Sequence, residues 1–229
     1  MATWSDFLGN VDWFRLGMFL FSAAAALLCI TLHELSHGFA AYRLGDMTAK
    51  NAGRLTFNPI KHIDLVGLLM MVTVHVGWAK PVPINMRNFK HPKRDMAITA
   101  LAGPLSNFAL AVAALAAGSV FMAFIQVDTM PRAMFILALM YIAVLSVGLG
   151  VFNLIPIPPL DGSKIVLSFL PDRICYAVLR YERYIGLVML VLIWLGALDG
   201  VLDVLMGSVL RGLCIVTRFP FEMLEYYFF

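Results

Sequence analysis

Charge is what this sequence has least of. Asp, Glu, Lys and Arg make up 14% of its 229 residues, against 61% hydrophobic residues and a mean hydropathy of +0.85. A soluble domain carries roughly a quarter of its residues as charges. This chain cannot clothe a core in polar surface and reads as an integral membrane protein. Cysteine is nearly absent too: Cys29, Cys175 and Cys214 are odd in number and lie in or beside apolar stretches, which excludes a disulfide framework. A concentrated basic patch is missing, because the net charge of +3 is spread over loops. Nucleic acid is therefore not an expected partner, and Lys and Arg serve to read topology. No basic n-region precedes the first apolar run and no small-residue cleavage pattern follows it, so the first helix is expected to stay in the mature protein.

What is present is a series of long uncharged runs. Leu16 to Leu32 carries no charge and helical character continues to about Leu44, more than the roughly 20 residues a span requires. Met96 to Val127 makes a second span, Ala133 to Ile155 a third and Tyr184 to Leu198 a fourth. Val201 to Val216, interrupted by Asp203 and Arg211, either crosses or lies along the surface. Leu65 to Ala79 is uncharged but short and broken by Gly67, His75 and Gly77, which fits a re-entrant or interfacial hairpin better than a span. Short strands are expected in the polar stretch after Gly45-Asp46. The expected fold is an all-α polytopic membrane protein, a bundle of about 4–6 transmembrane helices with a membrane-associated re-entrant β-hairpin or sheet after the first helix. It forms one domain over residues 1–229, with its core at 15–165 and C-terminal helices at 166–229.

Charge counting fixes the orientation. The 43–63 link carries Arg43, Lys50, Arg54 and Lys61, and the 77–95 link carries Lys80, Arg87, Lys90, Lys93 and Arg94. Both are strongly positive, so a re-entrant 65–79 puts both on the cytoplasmic side, whereas a spanning one would expose one of them outside.

Against this background one cluster of ionisable residues stands out. Leu32-His33-Glu34-Leu35-Ser36-His37-Gly38 is an H-E-x-x-H motif at the end of the first apolar run. On a helix, histidines four apart share a face and can hold one Zn²⁺, with Glu34 where a general base belongs. A catalytic zinc site keeps three protein ligands and one open position, so a third ligand is needed. Asp161, in Asn153-Leu-Ile-Pro-Ile-Pro-Pro-Leu-Asp161-Gly162, is the sole acid between Arg132 and Lys164 and follows a proline-forced break in the third span. It could equally be the bend of an ordinary turn. His62, His75 and Asp64 are rivals. Ionisable residues at membrane depth are costly, which favours a functional reading of the cluster.

Together the H-E-L-S-H of 33–37, the A-G-P-L-S-N of 102–107 and the N-L-I-P-I-P-P-L-D-G of 153–162 resemble, in order and spacing, the site-2 protease family of intramembrane zinc metalloproteases, peptidase family M50. The resemblance covers about residues 15–165 and is closest to small prokaryotic members without PDZ or CBS domains. It implies His33, His37 and Asp161 as ligands of one zinc per chain, Glu34 as catalytic acid and base, and Asn153 as a substrate-binding or positioning residue. It also implies a membrane-associated β-hairpin after the first motif helix.

The expected chemistry is hydrolysis of peptide bonds in transmembrane segments or remnant signal peptides by a zinc-activated water. The substrate helix must unwind first, and an edge within 65–79 or a strand in 48–58 could receive its freed backbone by β-augmentation. The same hairpin could instead merely plug the site against lipid. Beyond the substrate, the expected partner is the bilayer, and the expected location a prokaryotic inner membrane with the site toward the cytoplasm. The alternatives are a membrane protein that binds or transports zinc without proteolysis, and a scaffold that captures transmembrane helices.

Overall fold

The computed structural model describes residues 13–67, 70 and 79–229. Its helices, in chain order, are α1 (Trp13–Arg43), α2 (Thr48–Asn51), α3 (Pro92–Phe124), α4 (Met130–Asn153), α5 (Asp161–Ser168), α6 (Asp172–Trp194), α7 (Asp199–Thr217) and α8 (Phe221–Phe228). Their ends follow local chemistry. α1 stops at Gly45, whose φ of 108° suits a residue without Cβ. Pro92 opens α3 from the first turn, where no backbone N–H is missed. α4 cannot run past Asn153 because Pro156, Pro158 and Pro159 withhold the donors a further turn needs.

Four of the helices are long and apolar enough to cross a membrane: Gly17–Arg43 of α1, α3, α4 and α7. The expected span at 184–198 is not among them. Residues 184–194 are the second half of α6, whose first half carries Arg173, Arg180, Glu182 and Arg183, and the chain turns at Gly196 before α7 begins. The run that sequence left open, 201–216, is the fourth candidate span.

The core sits where α3, α4, α7 and α8 meet, around Leu115, Met140, Val147, Leu210 and Leu224. α1 packs against α3 and α4 on the other side, and α5 seats on α3.

The expected β-structure is not supported. Among the described residues there is no strand, and the polar stretch after α1 folds into α2 and a 3₁₀ turn at Pro59–His62. An isolated antiparallel bridge joins Ile63 to Ala79. The physical reason lies in the polar groups. Asp46 accepts from Thr48 N, Asn85 N and Asn88 Nδ2, and Asn58 caps its own turn through Ile60 N, so local bonds replace a ladder. Pro81 and Pro83 withhold ladder donors from the returning chain. The hairpin expected at 65–79 lies largely outside the described residues, as does His75; residues 65–67 begin it as helix.

Candidate metal centre

Helical spacing on α1 brings His33 and His37 to one face, their rings edge to face with centroids 4.6 Å apart. The opposing surface of α3 is cut away to receive them. A Cβ at Gly103 would lie 2.5 Å from His37 Cε1 and 2.7 Å from His33 Cε1, so only glycine admits both rings. One turn to either side, α3 supplies the partners that orient them. The Nδ1–H of His37 donates to the carbonyl of Thr99 at 2.7 Å, and the amide of Asn107 lies 3.2 Å from His33 Nδ1.

The break after α4 delivers Asp161 as the first residue of α5. Gly162 makes the seat possible, since a Cβ there would lie 2.6 Å from the carbonyl oxygen of Ile155. Asp161 Oδ2 stands 3.1 Å from His33 Nε2 and 2.9 Å from His37 Nε2, and the two Nε2 atoms are 3.0 Å apart. All three residues are buried, with 4–6% of their surface exposed.

This donor set fits zinc. Tetrahedral bonds of about 2.0–2.1 Å set ligand atoms roughly 3.3 Å apart, so the triangle needs only slight expansion to take the ion. Thr99 fixes the proton of His37 on Nδ1 and leaves its Nε2 lone pair facing Asp161 and His33. Asn107 completes the test: its buried Oδ1 has no partner, and turning the amide over gives that oxygen the Nδ1–H that a metal-ligating His33 must carry. Among the described residues, His33, His37 and Asp161 form the one group of His, Cys, Asp or Glu residues able to hold a metal.

Glu34 stands outside the triangle. Its Oε2 accepts the N–H of Val82 at 2.8 Å, the one amide donor between Pro81 and Pro83. Both face a cavity of about 310 Å³ that is also lined by Asn153, Asp161 and Lys164. Asn153, at the end of α4, spends its Nδ2 on the carbonyl of Leu149. Two of the rivals for the third ligand, His62 and Asp64, are engaged elsewhere. His62 bonds the carbonyl of Thr56 through Nε2, and Asp64 accepts from the N–H of Gly67.

Sequence reasoning assigned no role to Val82 or Lys164, and took Gly103 and Asn107 only as members of the A-G-P-L-S-N of 102–107. For Asn107 the further signal was an amide in the middle of an uncharged span, one turn from Gly103. Val82 left none in its side chain, because its contribution is a backbone N–H.

The sequence model of Peptidase family M50 matches residues 116–196. The chain is 34% identical to "Putative zinc metalloprotease YwhC" of Bacillus subtilis (strain 168), over 79% of this chain and 83% of that protein. It is 32% identical to "Putative zinc metalloprotease Rip2" of Mycolicibacterium smegmatis, over 64% of this chain and 56% of that protein. A Rip2 of the same name in Mycobacterium tuberculosis (strain H37Rv) is 28% identical over 80% of this chain and 70% of its own length. No solved structure matches.

Proposed function

We propose that this chain, which belongs to peptidase family M50, the site-2 proteases, hydrolyses peptide bonds in membrane-embedded segments of other proteins, with His33, His37 and Asp161 holding zinc and Glu34 as acid and base. The family makes it an intramembrane zinc metalloprotease. The residue roles rest on one observation: Nε2 of His33, Nε2 of His37 and Oδ2 of Asp161 converge within 2.9–3.1 Å from two separate helices. When bound there, zinc supplies a Lewis acid that acidifies a water and polarises the substrate carbonyl.

The remaining work falls to the chain itself. Glu34 takes the proton of the attacking water and returns it to the leaving amine. The Val82 N–H holds the Glu34 carboxylate toward the cavity. Asn153, on the cavity wall with its Nδ2 held by Leu149, offers its amide oxygen to an N–H of the unwound substrate backbone. Residues 79–84 run along the cavity beside Glu34, but with Val82 N–H committed, Pro81 and Pro83 lacking donors and Arg54 holding the carbonyls of Lys80 and Pro81, they receive substrate through their remaining carbonyl oxygens rather than a full ladder. The substrates are transmembrane or signal-peptide segments, and the site faces the cytoplasm of a prokaryotic inner membrane.

Zinc content of detergent-purified protein beside Asp161→Ala, followed by cleavage of labelled signal-peptide and single-span substrates beside Glu34→Gln, tests this reading. About one zinc per chain, lost in D161A, with cleavage abolished in E34Q, is the expected result. Zinc indifferent to Asp161, or cleavage surviving in E34Q, overturns it. Zinc transport would require a path of ligands, and the described residues hold one cluster.

A further inference from the structure

Asp161 meets the imidazoles with one oxygen. Oδ2 faces both His33 and His37, while Oδ1 accepts a hydrogen bond from Lys164 Nζ at 3.0 Å. Lys164 lies three residues along α5, the spacing at which two side chains share a helix face. The pair differs from a surface ion pair, whose worth is small. Asp161 is 5% exposed, its second oxygen is already directed at two imidazoles, and the Lys164 amine lines the same cavity as Glu34. The turn that carries both is seated firmly, by Gly162 against the end of α4 and by Ser163 Oγ donating to the carbonyl of Leu160 at 2.7 Å.

We propose that Lys164 is a positioning residue for the metal centre: by holding Oδ1 it makes Asp161 a one-oxygen ligand and fixes Oδ2 toward His33 and His37. The inference rests on the ligand set proposed above. A catalytic zinc site keeps one position for water beside three protein ligands. A carboxylate that swung both oxygens onto the ion would fill that position. The ammonium opposes the swing, because the motion would strip a charge-assisted hydrogen bond from a cation in a partly buried cavity, where an unpaired charge is costly. Among the described residues, Lys164 is also the one Lys or Arg lining that cavity, so none of them offers another ammonium or guanidinium to substitute for it.

The test is the zinc affinity of the full-length detergent-purified protein, by chelator competition, for wild type, Lys164→Met, Lys164→Arg and Asp161→Ala. The absorption spectra of the cobalt(II)-substituted proteins accompany it. Met keeps the aliphatic stem and removes the donor. K164M is expected to weaken zinc roughly 10- to 100-fold, the usual effect of removing a ligand's outer partner. It is also expected to dim the cobalt bands as the metal gains a ligand atom. K164R, which can hold the same oxygen, is expected to restore both. Wild-type affinity and spectrum in K164M, with zinc lost in D161A, overturn the role of Lys164 and leave the ligand set standing. Equal weakening in K164M and K164R also overturns it, since packing rather than the hydrogen bond would then matter. Zinc held at wild-type affinity in D161A overturns the ligand set itself.

Discussion

Gly103 leaves no room for a side chain at the site. An added methyl group would enter both imidazoles at once, and it sits on a continuous helix whose backbone cannot retreat without disturbing Thr99 and Asn107. The rings are the softer partner, so they would rotate away and their Nε2 atoms would no longer converge. Gly103→Ala is expected to cost about 1–3 kcal/mol by overpacking and to lose zinc, measured together by thermal unfolding and metal content in detergent. A variant with full zinc would show that the α1–α3 contact is looser than the rings require. Glu34→Gln should behave in the opposite way, because Glu34 holds none of the triangle. Zinc is expected to stay at wild-type content while the cleavage rate falls by about 10²- to 10⁴-fold, the usual range for a lost acid–base group. The divide between what sequence disclosed and what it hid follows the same line. His33, Glu34 and His37 announce themselves because helical spacing alone places them. Asn107 and Val82 act through partners 74 and 48 residues away, and no local pattern encodes such a pairing.

At the level of elements, α1, α3 and α4 were legible because each contains a long uncharged run; Gly45 stops α1, Pro92 opens α3 and Pro156 follows the end of α4. The span expected at 184–198 fell on part of α6, and 201–216 was left open, for a related reason. An apolar stretch such as 184–194 says nothing of whether the helix began earlier among charges, as α6 does at Asp172. The absent strands were inferred from polarity and from the resemblance, yet Asp46 organises that region instead. Burial pushes its carboxyl up, but the donors from Thr48, Asn85 and Asn88 outweigh this and hold it below its ordinary value of 3.8. A carboxyl depressed by folding stabilises the fold at pH above its unfolded value, and that contribution is lost as pH falls through the folded one. Asp46→Asn is therefore expected to destabilise the junction of residues 44–48 with 85–88 by about 1–3 kcal/mol at neutral pH, with wild type and variant converging below about pH 4. Hydrogen exchange of those two segments across pH reads it directly. A gap between the two proteins that persists unchanged into acid would mean that the carboxylate charge plays no part.

For the molecule as a whole, the two basic links form one layer at one end of the bundle. Arg54 Nη2 donates to the carbonyl of Lys80 at 2.6 Å, Lys80 N donates to the carbonyl of His62 at 2.9 Å, and Asp46 bonds Asn85 and Asn88. The chain therefore leaves and returns to the same end across residues 64–78. The metal centre lies toward that end too, since His37 is near the close of α1 and its partner Thr99 near the start of α3. Under the proposed function, the excess of Lys and Arg would direct this end, with the site, to the cytoplasm. Single cysteines at Lys61, Lys90 and Asp128, in a background with Cys29, Cys175 and Cys214 replaced, turn this into a measurement. Lys61 and Lys90 are exposed on the two basic links, and Asp128 is exposed on the α3–α4 link at the opposite end. In intact cells an impermeant maleimide is expected to label the cysteine at 128 and to reach those at 61 and 90 only after lysis. Labelling of 61 and 90 from opposite faces would mean that residues 64–78 cross the bilayer, and labelling of both from outside would invert the protein and move the site's water supply to the other side of the membrane.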